Sequence, residues 1–245
     1  MVAGLPWLIG TVVDTRQETA TARTLVFDVP GWTGHLPGQH VDLRLTADDG
    51  YSTQRSYSMG APADGTRVEL TVQRVIDGEV SPYLTDEVRA GDQLELRGPI
   101  GGWFVWRPSV TDPVLLIAGG SGVVPLMAML RAHTLSGSTA PLTLLYSVRT
   151  PADVLYAAEL DAMSGRHQDV DVRILYSREK PAGIERKPQR LGSDDVLGAG
   201  WRPRPDSRVY ICGPTGFVEA AANLLVLHGQ PESTVRTERF GPTGR

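Results

Sequence analysis

Cysteine is nearly absent from this 245-residue chain, and its one thiol, Cys212, excludes more than it offers. An internal disulfide is impossible, and a thiolate-held iron–sulfur cluster needs about four cysteines. Zinc sites rich in cysteine fall with it, and the five histidines show no ligand-like pairing. Redox chemistry here therefore needs a bound organic group or an outside partner. Positive charge is not in excess either: a net charge of -4 provides no electrostatic basis for nucleic-acid binding. Long apolar runs are missing, since none approaches the ~20 residues of a spanning helix. No membrane insertion is expected. The first residues lack a basic segment followed by an apolar one, so no export signal is read and a cytoplasmic location is expected.

What is present has two grammars. Through about residue 108, short strand-like runs (9–15, 24–29, 41–45, 54–58, 68–74 and 93–96) alternate with turn dipeptides such as Pro37-Gly38, Asp49-Gly50, Asp64-Gly65 and Asp77-Gly78. This is the pattern of an all-β barrel or sandwich, with one short helix near 81–88. From Pro113 the order becomes strand, glycine turn, helix, repeated. Strands are expected at 114–118, 142–148, 170–177 and 208–212, and helices at 124–133, 152–163 and 216–228. Such alternation implies a parallel sheet covered by helices. The division predicts two domains, residues 1–108 and 109–245, separated near Pro108 and Pro113.

Three stretches carry candidate chemistry. Gly119-Gly120-Ser121-Gly122 follows an apolar strand and precedes a helix with Pro125 in its first turn. Glycines allow close backbone approach to a pyrophosphate, whose charge suits a helix start. Such turns also serve packing alone, and this one does not match G-x-G-x-x-G. Cys212-Gly213-Pro214 ends a later strand before another helix, and ligands of parallel sheets bind at carboxyl ends of strands. Cys212 could equally be a small buried apolar residue. Arg55-Ser56-Tyr57-Ser58 ends a strand of the first half, offering a cation, a flat ring and hydroxyls, or simply a polar surface strand.

In order and spacing these stretches resemble the ferredoxin–NADP reductase-like flavoproteins of bacterial type. The likeness runs from Leu36-Pro37-Gly38-Gln39 through Arg55-Ser56-Tyr57-Ser58, Gly78-Glu79-Val80-Ser81 and Gly98-Pro99 to the two glycine turns and Glu238-Arg239-Phe240-Gly241. It implies an antiparallel six-stranded flavin barrel followed by an α/β parallel-sheet domain for NAD(P)H, with FAD in the cleft between. Arg55 matches the arginine of the flavin diphosphate, Tyr57 the aromatic beside the isoalloxazine, and Ser58 the hydroxyl at the ring nitrogen that accepts hydride. Gly78, Val80 and Ser81 match the start of the diphosphate helix, which favours FAD over FMN. Gly119, Gly120, Ser121 and Gly122 match the nicotinamide–pyrophosphate turn. Cys212, with Gly213 and Pro214 after it, matches the thiol near the nicotinamide. Glu238 and Phe240 match the acid and aromatic at the flavin face. Ser177-Arg178 matches the pair that holds a 2′-phosphate, with Lys180, Arg186, Lys187 and Arg190 nearby, so NADP is favoured and NAD remains possible. Plant-type members end on a tyrosine, whereas here Phe240 is followed by Gly241-Pro242-Thr243-Gly244-Arg245, as in bacterial reductases.

The implied activity takes hydride from NAD(P)H onto FAD and passes electrons to a separate acceptor such as a redox protein. Reduction of free flavin, ferric complexes or quinones is the alternative within enzymes. A non-catalytic FAD/NADP-binding regulatory subunit is the alternative outside them. Ser58, Cys212 and Glu238 weigh against the latter, because a pure binder needs only the diphosphate clamps.

Overall fold

The computed structural model describes residues 4–47 and 49–241, without the side chains of 165 and 166. Residues 242–245, most of the tail after Phe240, lie outside the described residues. The chain divides into two compact units, residues 1–107 with 127–132, and 108–126 with 133–245.

Among the described residues of the first unit, six strands form one antiparallel sheet: β1 (Leu8–Thr19), β2 (Ala22–Asp28), β3 (His40–Thr46), β4 (Ser52–Ser58), β5 (Arg67–Gln73) and β6 (Gln93–Ile100). Their order is β4-β3-β6-β1-β2-β5. The sheet closes on itself where Met59, just past β4, bridges Leu70 of β5. Closure follows from period-2 patterning. Val68, Leu70 and Val72 alternate with Arg67, Glu69 and Gln73, and meet Leu25, Phe27, Val41, Leu43 and Leu96 in one buried core. Each such side chain contributes about 1.5–3 kcal/mol by leaving water. The expected short helix is a single wide π-helical turn, Tyr83–Glu87, entered through Ser81 and Pro82. Leu36-Pro37-Gly38-Gln39 is a structural clasp. Gly38 has φ +97°, a Cβ there would fall 1.9 Å from the Phe104 carbonyl oxygen, and the Pro37 carbonyl accepts the Trp106 amide.

The second unit holds a five-stranded sheet of β7 (Val114–Gly119), β8 (Leu142–Val148), β9 (Val170–Tyr176), β10 (Arg208–Pro214) and β11 (Val235–Phe240), in the order β11-β10-β7-β8-β9. All four pairings are parallel. Central β7 is buried throughout, as a strand covered on both faces must be. The connecting helices are α1 (Val123–Leu135), α2 (Ala157–Arg166), α3 (Ser193–Gly198) and α4 (Thr215–Leu227). The helix expected at 152–163 starts late. Thr150 and Asp153 cap a separate 3-10 turn at Pro151–Asp153, and Tyr156 takes a left-handed φ of 57° that restarts the chain direction. Both α3 and β11 lie outside the sequence expectation. Among the described residues no helix is long and apolar enough to cross a membrane.

Candidate cofactor-binding sites

β4 is an edge strand, and one of its two faces breaks the barrel's rule. Tyr57, Arg55 and Thr53 pair with Val41, Leu43 and Leu45 of β3, residues of the apolar core or packed against it. A cation and a hydroxyl thus stand where the pleat calls for apolar side chains, the kind of local conflict that marks a functional surface. Tyr57 is half-buried, and its phenol is pushed up to about 12 by burial, partly offset by the Arg55 charge. Its ring therefore stays a neutral, flat surface. The Arg55 guanidinium is steadied by the Gln54 carbonyl at 2.7 Å and the Thr53 hydroxyl at 3.1 Å, and reaches Glu79 at 3.4 Å. Half of it remains exposed to solvent.

The neighbouring residues divide by face. Ser56 points to the other side of the strand, where its hydroxyl donates to Asp42 at 2.7 Å, so only its main chain serves the Arg55 face. Ser58, half-buried, closes the strand opposite His40. Val80 is buried in the barrel core. The buried Ser81 hydroxyl accepts the Val75 amide at 2.9 Å, fixing the turn that contains Asp77, at φ 61°, and Gly78. A Cβ on Gly78 would lie 3.1 Å from that hydroxyl. Gly78, Val80 and Ser81 thus shape the turn that presents Glu79 to Arg55.

In the second unit the chain leaves β7 toward β8 on one side and has β10 on the other. The carboxyl ends of β7 and β10 therefore form the switch point of the sheet, where parallel α/β folds bind ligands. Both glycine turns are there, and their glycines do different work. A Cβ on Gly122 would lie 2.2 Å from the Cys212 carbonyl oxygen, and one on Gly119 would lie 2.6 Å from the Phe217 ring. Gly213 sits 3.2 Å from the Gly119 main chain by the same measure. Gly122 and Gly213 let two backbones approach, and Gly119 leaves room for the Phe217 ring. Gly120, with φ +55°, meets nothing within 4 Å of a Cβ. Gly120 is the member of the turn that faces open space just before α1, and half-buried Ser121 follows it.

Cys212 is buried. Burial pushes its thiol well up, the Glu238 charge pushes further, and the Gly213 amide offsets part of this. At neutral pH it is a protonated, compact, uncharged group and no thiolate nucleophile. Glu238 lies opposite it in register on β11, and burial raises its carboxyl to about 7. Phe240 ends the same strand opposite Pro214, with 37% of its surface exposed. The sheet thus brings Cys212, Gly213, Pro214, Glu238 and Phe240 to one edge.

The basic loop after β9 separates in the same way. Arg186 is committed: it forms a two-pronged ion pair with buried Asp195 and donates to the carbonyls of Tyr176, Lys187, Gln189 and Arg190. Lys180 donates to the Ile184 carbonyl. Half-buried Ser177 and exposed Arg178 follow β9 directly. Beside them is Arg149, which the sequence reading missed; its carbonyl accepts the amides of Arg178 at 2.9 Å and Glu179 at 3.1 Å. Its position directly after β8, at the ligand-bearing end of a parallel strand, is the signal that could have found it.

Residues 10–105 match the oxidoreductase FAD-binding domain, and residues 116–223 match the oxidoreductase NAD-binding domain. The chain belongs to the ferredoxin–NADP reductase-like family of FAD- and NAD-binding oxidoreductases. It is 32% identical over 238 residues to the glycine betaine monooxygenase reductase subunit of Pseudomonas aeruginosa, covering 93% of this chain and 62% of that protein. It is also 32% identical over 237 residues to the ferredoxin reductase component of 3-ketosteroid-9-alpha-monooxygenase from Mycolicibacterium smegmatis, covering 94% of this chain and 64% of the relative. The chain therefore spans less than two thirds of the length of either. The fold matches that of a ferredoxin NADP+ reductase from Neisseria gonorrhoeae with bound FAD and NADP, with a TM-score of 0.80, 19% identity, and coverage of 95% of this chain and 98% of that one. A flavohem-like FAD/NAD-binding domain of Vibrio cholerae nitric oxide dioxygenase gives a TM-score of 0.81 at 24% identity, covering 98% and 99%.

Proposed function

We propose that the chain is an NAD(P)H-dependent flavoprotein reductase that delivers electrons to a separate acceptor such as a redox protein. Residues 1–108 bind FAD and residues 109–245 bind NAD(P)H in this reading. The observation that carries it is the polar face of β4 that lies in register with the core residues of β3, where exposed Arg55 and half-buried Thr53 stand opposite Leu43 and Leu45. The barrel core does not need them, whereas a flavin diphosphate does. The two relatives that are named as reductase components of monooxygenases support an acceptor of that kind.

The side chains fit the cofactors as follows. Arg55 neutralises the FAD diphosphate, the neutral Tyr57 ring lies against the flavin, and Ser58, at the end of the strand, borders its reacting edge. Gly120 and Ser121 admit the nicotinamide nucleotide to the start of α1, while Gly119, Gly122 and Gly213 hold the two turns together. Arg178, with Ser177 and Arg149, meets the 2′-phosphate, which favours NADPH over NADH. Protonated Cys212 provides an uncharged wall for a nicotinamide. Glu238, titrating at about 7, can hold or release a proton near neutrality. Phe240 keeps an exposed ring for stacking on a flat cofactor, an interaction of about 0.5–1.5 kcal/mol. When bound, FAD supplies the two-electron chemistry that connects NAD(P)H with the acceptor. The protein contributes orientation and the exclusion of water.

The test is to mix flavin-loaded protein with NADPH without oxygen and then add acceptors. Rapid loss of the yellow absorbance, restored by a ferredoxin or cytochrome, is expected. Bound flavin that NADPH and NADH both leave oxidised would overturn the proposal in favour of a regulatory binder.

A further inference from the structure

Glu79 stands where an anion is wanted. Its carboxylate accepts the Arg55 guanidinium, the Thr53 hydroxyl and the Tyr51 hydroxyl, each at 3.4 Å. Tyr51, Thr53 and Arg55 are alternate residues along one face of the strand and its entry, so three donors in a row converge on one negative group. The turn behind Glu79 is built to hold it there, through the left-handed Asp77, the tight Gly78 and the Ser81 hydroxyl on the Val75 amide. Both partners of the ion pair are more than half exposed, with side-chain exposures of 54% and 57%, so neither is needed to complete the barrel core.

We propose that Glu79 is a tethered competitor for the flavin diphosphate: its carboxylate occupies Arg55 in the flavin-free protein and must be displaced for FAD to bind. The proposal rests on the assignment of Arg55 to the diphosphate and adds a determinant of affinity to it. The chemistry is that of anion exchange at one guanidinium. A diphosphate oxygen offers Arg55 the charge-assisted contact that the carboxylate already provides, so only the difference between them contributes to binding. Exposed pairs of this kind are weak enough to open, so the carboxylate lowers FAD affinity without blocking it. A chain arranged this way releases flavin more readily than its clamp residues alone would suggest.

FAD titration of flavin-free wild type, E79Q, R55A and the R55A/E79Q double variant tests this, with riboflavin as the phosphate-free probe. E79Q should bind FAD about 2- to 5-fold more tightly, the range set by an exposed ion pair. Riboflavin binding should not change. In the R55A background the gain should vanish, because no guanidinium remains to compete for. Unchanged or weaker FAD binding by E79Q, while R55A loses FAD, would overturn the competitor and leave the diphosphate assignment standing. A full gain retained without Arg55 would also overturn it, since simple repulsion would then suffice. Unchanged FAD binding by R55A would remove the diphosphate assignment and the competitor together.

Discussion

Replacing Glu238 by Gln should stabilise the protein above neutral pH and do little in mild acid. The Glu238 carboxyl, ordinarily near 4.5, titrates at about 7 in the folded protein because it is buried. The folded state therefore holds the proton more tightly than the unfolded chain does. The stability this provides is complete below about 4.5 and is lost as pH rises through about 7. Over that window the loss amounts to at most about 3 kcal/mol, and relaxation of the site reduces it. Glutamine keeps the shape and has no proton to lose, so E238Q escapes this loss. Thermal melts of both proteins at about pH 5 and about pH 8 measure the difference directly. The advantage of E238Q should grow by about 4–8 °C between the two, from about 2–4 °C per kcal/mol for a chain of this size. Any change in hydrogen bonding caused by the substitution would appear at both pH values and cancel in the comparison. A stability difference that does not vary with pH would refute the reasoning. The same variant removes one cause of the high Cys212 titration, so alkylation of that thiol should begin at lower pH.

Gly122→Ala should cost more than about 3 kcal/mol or prevent folding, because its Cβ would lie 2.2 Å from the Cys212 carbonyl oxygen; Gly120→Ala, strained only by φ +55°, should cost about 1–2 kcal/mol, and chemical denaturation separates them. Arg178→Ala should raise the Michaelis constant for NADPH about 10-fold or more and leave NADH nearly unchanged, with Arg149→Ala weaker in the same direction; equal losses with both cofactors would assign this edge another role. Phe240→Ala should leave the melting temperature nearly unchanged, because the residue is 37% exposed at the end of an edge strand, yet tighten nicotinamide binding in titrations by removing a competing stacked ring. A large drop in stability without any change in affinity would make Phe240 an ordinary packing residue.

The barrel was legible because apolar and polar residues alternate in strands such as β5 and its turns use Asp-Gly and Pro-Gly, two signals that act over a few residues. Buried β7 was legible because central parallel strands are apolar from end to end. Strand β11 was not. Val235-Arg236-Thr237-Glu238-Arg239-Phe240 is mostly polar because it pairs on one side only, and its charged residues read as a loop. Six-residue α3 is too short to show a helical period. At the sites, the sequence identified residue types but not how they are employed. Arg186 and Arg178 look alike in a basic run, yet one is spent on Asp195 and four carbonyls while the other faces solvent. Ser56 and Tyr57 are neighbours in a motif, and the pleat sends them to opposite faces. Glu79 gave no hint that it would meet Arg55, 24 residues before it.

The division of labour among the glycines bears on how such a chain would change over evolutionary time. Gly122 and Gly213 are required where two main chains approach, and Gly119 where the Phe217 ring packs on the strand, whatever the site binds. Selection for folding alone would keep them in a descendant that had abandoned nucleotides altogether. Gly120 meets no neighbour, and folding constrains it only through its φ of +55°, a conformation that asparagine or aspartate can also adopt. A glycine-rich turn of this kind therefore records the ancestry of the fold more faithfully than its present occupation, and the position with most room to change is the one glycine in it that packs against nothing.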